Sequence, residues 1–353
     1  MLSYIHAYHA GNHADILKHL TLSLIREHLC KKEKPFTVID THAGSGLYAL
    51  DDSRALKTGE AKSGIEKMIN SSQSLREHGG NFNPQMTSTV REKSSESPTL
   101  CELQSSVSSV RNSNPQTNTD FADSTDYKKF NLCSSVQSVV KFLNILRTYH
   151  TRSEYPGSPL LENIFLRPGD EQLLCELHPT AFEELKNCFY NRRKECKASG
   201  KNFVEPALHK RDGYEFLKAV TPPKIKRGLA VIDPSFEDAS DFEKCGEVIS
   251  AVHKKWPAGI IALWYPLVTH RTSEISMMKE RIASSVEASE PKILDIQMEI
   301  KRKEDMTGLA SLYGSGMFIV NFPYQLDEEM KALLPDLSKV LADTAADWSV
   351  EKR

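Results

Sequence analysis

The sequence predicts an α/β fold, an open and mostly parallel sheet of seven strands with helices on both faces. Three observations carry that reading. Seven short runs along the chain read as strand candidates. Amphipathic stretches of helical period lie between most of them. Several runs end in an acidic residue or a glycine turn, and the carboxyl edge of such a sheet is where ligands bind. At 353 residues the chain can bury a sizeable core, as one large domain with an insertion or as two domains.

In chain order, Asn12 is placed to cap a helix with Asp15 at its third position. Ile16, Leu17, Leu20, Leu24 and Leu29 continue it as an apolar stripe to about Lys32. The strand candidates are residues 35–40, 172–176, 203–208, 229–232, 259–264, 293–300 and 316–322, and the clearest intervening helices are 181–190, 213–220 and 242–255. One stretch breaks the alternation. Residues 71–130 hold thirteen serines, many Asn, Thr and Gln, and no Trp. Such a composition buries too little apolar surface to offset the entropy of ordering it, so disorder is expected there. It interrupts a helical excursion and divides the chain into an N-terminal cap with the start of the core (1–54), an inserted helical subdomain (55–150) and the rest of the core (151–353).

Lys plus Arg (45) nearly balances Asp plus Glu (47), which excludes a histone-like, non-specific nucleic-acid binder and leaves local basic runs at 191–194, 224–227, 254–255 and 301–303 as candidate RNA contacts. The seven cysteines are scattered without a C-x-x-C pair, so neither a disulfide framework nor a thiolate zinc site is expected. No leader-like segment and no long apolar run is present, and the expectation is a monomeric, cytoplasmic protein with no membrane contact. His6, His9, His13 and His19 crowd the N-terminus with Tyr4 and Tyr8. No carboxylate or thiolate evidently completes a metal set, so they are read as a rigid cap over a pocket, with no metal.

The chemistry is concentrated at strand ends. The turn from Asp40 to Gly46 lets backbone approach a ligand closely. Glu176 is positioned to bind two ribose hydroxyls, and Asp212-Gly213 and Asp233 close the next two strands. Each of these alone reads equally well as a turn or a helix cap. In this order they suit a cofactor with an adenine, a ribose and a cationic sulfonium, which is S-adenosylmethionine. Asp233-Pro234-Ser235-Phe236 then suits methylation of an exocyclic base amine. The N6 lone pair of adenine is delocalised into the ring, and accepting hydrogen bonds from both amine protons localises it. The Asp233 carboxylate and the Pro234 carbonyl supply the two acceptors, and Phe236 supplies a face for an extruded base.

Several segments together resemble the bacterial RlmJ family, the 23S ribosomal RNA adenine-N6 methyltransferases. In order, they are Met1-Leu-Ser-Tyr4, His9-Ala-Gly-Asn-His-Ala-Asp15, Leu17-Lys-His19, Asp40-Thr-His-Ala-Gly-Ser-Gly46, Tyr155-Pro-Gly-Ser-Pro159, Glu176-Leu-His-Pro179, Asp212-Gly213, Ile232-Asp-Pro-Ser-Phe236, Leu263-Trp-Tyr-Pro266 and Gly314-Ser-Gly-Met317. The resemblance implies a class I S-adenosylmethionine-dependent methyltransferase fold, Rossmann-like, with a helical subdomain inserted after the first strand. It implies that His19, His42, Ser158, Glu176, Asp212, Gly213 and Asp233 contact the cofactor, that Asp233 acts on the target amine, and that Tyr4 contacts the rRNA. Ser158 comes from the resemblance alone.

The chain departs from that family in its Ser-rich segment and in Ser235-Phe236, where the family usually has Pro-Tyr. Ser restores a backbone N–H and frees φ, which by the proline entropy argument loosens the turn by about 0.4 to 1 kcal/mol and slows the reaction by roughly two- to fivefold at most. Three functions stay open at this level: an active 23S rRNA methyltransferase, an adenine methyltransferase of another RNA or of DNA, and a catalytically weak RNA-binding paralogue.

Overall fold

The computed structural model describes residues 4–77, 124–286, 292–306, 312–343 and 346–353. In chain order the elements are α1 (His13–Cys30), β1 (Thr37–Asp40), β2 (Leu47–Ala49), α2 (Ser53–Thr58), α3 (Ile65–Glu77), α4 (Ser124–His150), β3 (Glu154–Pro156), α5 (Ser158–Asn163), β4 (Glu171–Cys175) and α6 (Pro179–Ala198). They continue with β5 (Ala207–His209), α7 (Gly213–Val220), β6 (Gly228–Ile232), α8 (Ser240–Lys255), β7 (Ile260–Val268), α9 (Thr272–Ser285), β8 (Ile293–Glu299), β9 (Leu312–Val320), α10 (Leu326–Leu341) and β10 (Trp348–Lys352).

Eight strands form one sheet in the order β10-β8-β9-β7-β6-β1-β4-β5. Pairing is parallel from β5 across to β7 and antiparallel from β7 through β9 and β8 to β10. All seven expected strands are present, and the eighth, β10, is an addition to the seven-stranded expectation. β6 is buried at every position, as a strand covered on both faces must be. Its side chains alternate between two cores: Leu229 and Val231 pack with α1, α5 and α10, whereas Ala230 and Ile232 pack with α7, α8 and α9. α1 is buried nearly all round, and it starts where expected, with the Asn12 side chain accepting from Asp15 N.

β7 runs past the expected end at 264 to Val268. Pairing with β6 stops at Leu263, so Pro266 interrupts no parallel ladder, while β9 continues opposite it. Of the residues 71–130 expected to be disordered, 71–77 and 124–130 are helical instead. Helical backbone reaches Glu77 and resumes at Ser124, and residues 78–123 lie outside the described residues. The excursion is closed at its base by a two-stranded antiparallel neck, β2 with β3, and by Gly157 N–H donating to Gly46 O at 2.8 Å. Among the described residues no helix is long and apolar enough to cross a membrane.

Candidate active site

A cavity of about 410 Å³ opens at the carboxyl edge of β1, β4 and β6, and Tyr4, Lys18, His19, His42, Ser158, Glu176, Asp212, Gly213, Pro234 and Ser235 all face it. One wall is the turn after β1. Gly44 sits at φ +60, and a Cβ there would come within 2.2 Å of Tyr48 Oη, so only glycine allows the turn to close under the tyrosine. Tyr48 Oη accepts from Ser45 N at 3.0 Å, and Ser45 Oγ donates to Glu184 at 2.6 Å. Gly213 serves close packing: a Cβ would meet Thr41 O at 2.3 Å. That lets the first turn of α7, capped by Asp212 at 2.9 Å, press against the β1 turn.

Glu176 lies one residue beyond β4. Its Oε2 accepts from Gly44 N at 2.8 Å and its Oε1 from His178 N at 2.7 Å. Each carboxylate oxygen keeps a second lone-pair site, enough to accept a pair of vicinal hydroxyls. On the far side, Ser158 Oγ donates to the buried Asp40 at 2.7 Å. Burial raises the Asp40 carboxyl to about 6, against the opposing hydrogen bonds from Ser158 and the His42 amide. His19 Nδ1 lies 2.7 Å from Tyr155 Oη, while its Nε2 is buried with no hydrogen-bond partner among the described residues. Burial lowers His19 to about 3 and His42 to about 4, so both imidazoles are neutral near pH 7.

The floor is built by the N-terminal segment reaching across to β6. Lys18 Nζ contacts Asp233 Oδ2 at 2.5 Å and Asp15 Oδ1 at 2.9 Å. Asp15 is held in turn by His6 Nε2 at 3.0 Å and Gly11 N at 2.9 Å, and Tyr4 Oη lies 2.8 Å from His6 Nδ1. Burial alone would raise the Asp15 carboxyl, but His6 and Lys18 outweigh it and hold it well below the usual range. Burial alone would likewise lower the Lys18 ammonium, yet Asp15 and Asp233 hold it above its usual value. Burial, with Asp233 and Asp15 adding to it, keeps the Tyr4 phenol protonated.

Two expected site residues are placed differently from the sequence reading. Asp233 is not itself on the cavity wall, although its partner Lys18 and its neighbours Pro234 and Ser235 are. The Phe236 ring points away from the cavity, 8% exposed, with its centroid 4.6 Å from Phe242 and 6.0 Å from Trp264, so in this conformation it offers no face to a base. Phe236 has φ +52, which is uncommon for an aromatic residue and carries its ring into that cluster. Lys18, Tyr48 and Glu184 were missed from sequence. Lys18 had a partial signal, a cation three residues after Asp15 on a helix with a strong apolar stripe; Glu184 had none. Among the described residues no group of three or more His, Cys, Asp and Glu side chains is arranged to hold a metal ion.

The family model described as "Ribosomal RNA large subunit methyltransferase D, RlmJ" matches residues 33–79 and 127–353. The ribosomal RNA large subunit methyltransferase J of Haemophilus influenzae is 30% identical over 357 residues, covering 99% of this chain and 98% of its own. The protein of the same name from Escherichia coli is 31% identical over 344 residues, covering 97% and 94%. A crystal structure from Legionella pneumophila shares the fold, with TM-score 0.65 at 24% identity over 98% of each chain. The chain, with its glycine turn, acidic strand ends and Asp-Pro turn gathered at one cavity, belongs to the RlmJ family of ribosomal RNA large subunit methyltransferases.

Proposed function

We propose that the protein methylates the N6 amine of a specific adenine in 23S ribosomal RNA, using S-adenosylmethionine. The observation that carries this is that the Asp-Pro turn borders a cavity suited to a nucleoside: Pro234 lines it, and Asp233 sits behind that wall, with one oxygen held by Lys18 and the other, like Pro234 O, left as an acceptor. Neither acceptor has a hydrogen-bond partner among the described residues. The residues present fit the cofactor. Glu176 has lone pairs left for the ribose diol, Gly213 brings the start of α7 close against the β1 turn, and His19 Nε2, with no partner among the described residues, can meet a polar group. The neutral state of His19 and His42 adds no positive charge near a sulfonium. Bound there, S-adenosylmethionine supplies an electrophilic methyl group.

The protein's own groups do the rest. Lys18 fixes one Asp233 oxygen and so aims the other. Asp233 Oδ1 and Pro234 O accept the two amine protons, which draws the nitrogen lone pair out of the ring and toward the methyl donor. The amine sheds a proton as the N–C bond forms, and the Asp233 carboxylate, already accepting its hydrogen bond, can receive it. Tyr4, on the cavity wall with its phenol protonated, is placed to meet the RNA.

The experiment is to map N6-methyladenine in 23S rRNA from cells with and without the gene, and to assay the purified protein on that rRNA with labelled S-adenosylmethionine. One site should disappear with the gene. Asp233→Ala should lose roughly a hundredfold or more in single-turnover methyl transfer while keeping RNA affinity. No change in the rRNA map, together with an inert purified protein, would refute the reading.

A further inference from the structure

The Asp233–Phe236 turn carries a group that the reaction as described leaves unused. Ser235 faces the cavity, and among the described residues its hydroxyl has no hydrogen-bond partner. Because the Phe236 ring lies in the Phe242–Trp264 cluster, the residue of the turn that lines the cavity next to Pro234 is Ser235.

We infer that the Ser235 hydroxyl reads the target base, donating a hydrogen bond to a ring nitrogen that flanks C6 of adenine. The inference rests on the adenine reading above and adds a specificity residue to it. An amine that gives its two protons to Asp233 Oδ1 and Pro234 O brings its own ring edge against the next residue of the turn. On either side of C6 adenine carries a bare acceptor, N1 or N7. The Ser235 backbone N–H is not the donor: across a trans peptide it points opposite to the Pro234 carbonyl, away from an amine bound there. The hydroxyl rotates freely and can donate toward the same edge as that carbonyl. The turn then offers acceptor, acceptor and donor, the complement of an adenine amine and its neighbouring nitrogen. Guanine, with an oxygen on C6, would set that oxygen against two acceptors.

The test uses the full-length protein and RNA fragments that carry adenosine, 1-deazaadenosine or 7-deazaadenosine at the mapped position. On adenosine, Ser235→Ala should lower kcat/KM by roughly three- to tenfold, the effect of one neutral hydrogen bond, and Ser235→Thr, which keeps the hydroxyl, should restore it. On the one analogue that lacks the contacted nitrogen, wild type and Ser235→Ala should be equal. A Ser235→Ala enzyme within twofold of wild type on adenosine overturns the inference. So does an equal loss on all three bases, which is what simple loosening of the turn would give. Wild-type protein that modifies none of the fragments would instead refute the adenine reading itself, and the Ser235 inference with it.

Discussion

Replacing Lys18 with Met keeps the length of the side chain and removes its charge from between Asp15 and Asp233. Lys18 is 4% exposed, and its ammonium lies 2.9 and 2.5 Å from the two carboxylates, so the change leaves two acids facing each other without their shared cation. Asp15 keeps His6 and the Gly11 amide, and Asp233 retains 15% side-chain exposure, so neither is wholly stranded. The cost falls at the lower end of that for breaking a buried pair, about 3 kcal/mol. With about 2.1 cal/mol/K per residue of unfolding entropy over a chain of this size, that lowers Tm by about 4 °C. Activity should fall further than stability. With Oδ2 released, Asp233 no longer aims Oδ1 at the amine, and misplacement on that scale costs roughly a hundredfold in rate. Thermal melts and single-turnover methyl transfer at saturating cofactor, on the same preparation, separate the two effects. A Lys18→Met protein that melts lower yet turns over at the wild-type rate would show that Lys18 is only a buried counter-ion and that Asp233 is oriented by something else.

Glu176→Ala should weaken S-adenosylhomocysteine binding by roughly 10- to 100-fold, since it removes charge-assisted acceptors for the ribose as well as the tie to Gly44; calorimetry reading an unchanged Kd would remove Glu176 from the site. His19 and His42 make the fold acid-sensitive. Burial lowers both from 6.5 in the unfolded chain to about 3 and about 4, so their neutral forms hold full stability above about 6.5, and it drains away as pH falls toward 4. Melting temperatures from pH 7 to 4 should decline, and His19→Gln should decline less steeply; parallel curves would exclude His19 as a source of the loss.

The parts of the fold that were legible in the sequence are those set by local pattern. The Asn12 cap, the fully apolar β6 run and the α7 boundaries needed only periodicity and capping chemistry to find. β10 was hidden because an edge strand with charged Glu351 and Lys352 looks like a polar tail. Its hold comes from distant partners: backbone pairing with β8, and Lys352 with Asp327 at 2.7 Å. At the site, Glu176, Asp212 and Asp233 could be read from strand ends, whereas Ser158 could not. What brings it to Asp40 is a neck pairing between residues 47–49 and 154–156, across more than a hundred positions. Basic runs misled in part. Arg192 is buried on Asn163 at 2.9 Å, and Arg227 holds the Leu29 and Lys34 carbonyls, so both serve the fold. Phe236 was judged by chemistry alone; its backbone dihedral, invisible in sequence, decides where the ring points.

The neck formed by β2 and β3 makes the molecule a natural chassis for fusion. Its ladder, Leu47 with Pro156 through Ala49 with Glu154, fixes both ends of the excursion independently of what is strung beyond α3 and α4. The family model falls silent at residue 79 and resumes at 127, within a few residues of where those two helices end and begin. An added flexible linker at that point costs little, since each doubling of a flexible loop adds only about 0.6 kcal/mol of closure entropy. A reporter domain or an affinity handle spliced there would ride on a working enzyme, leaving both termini untouched.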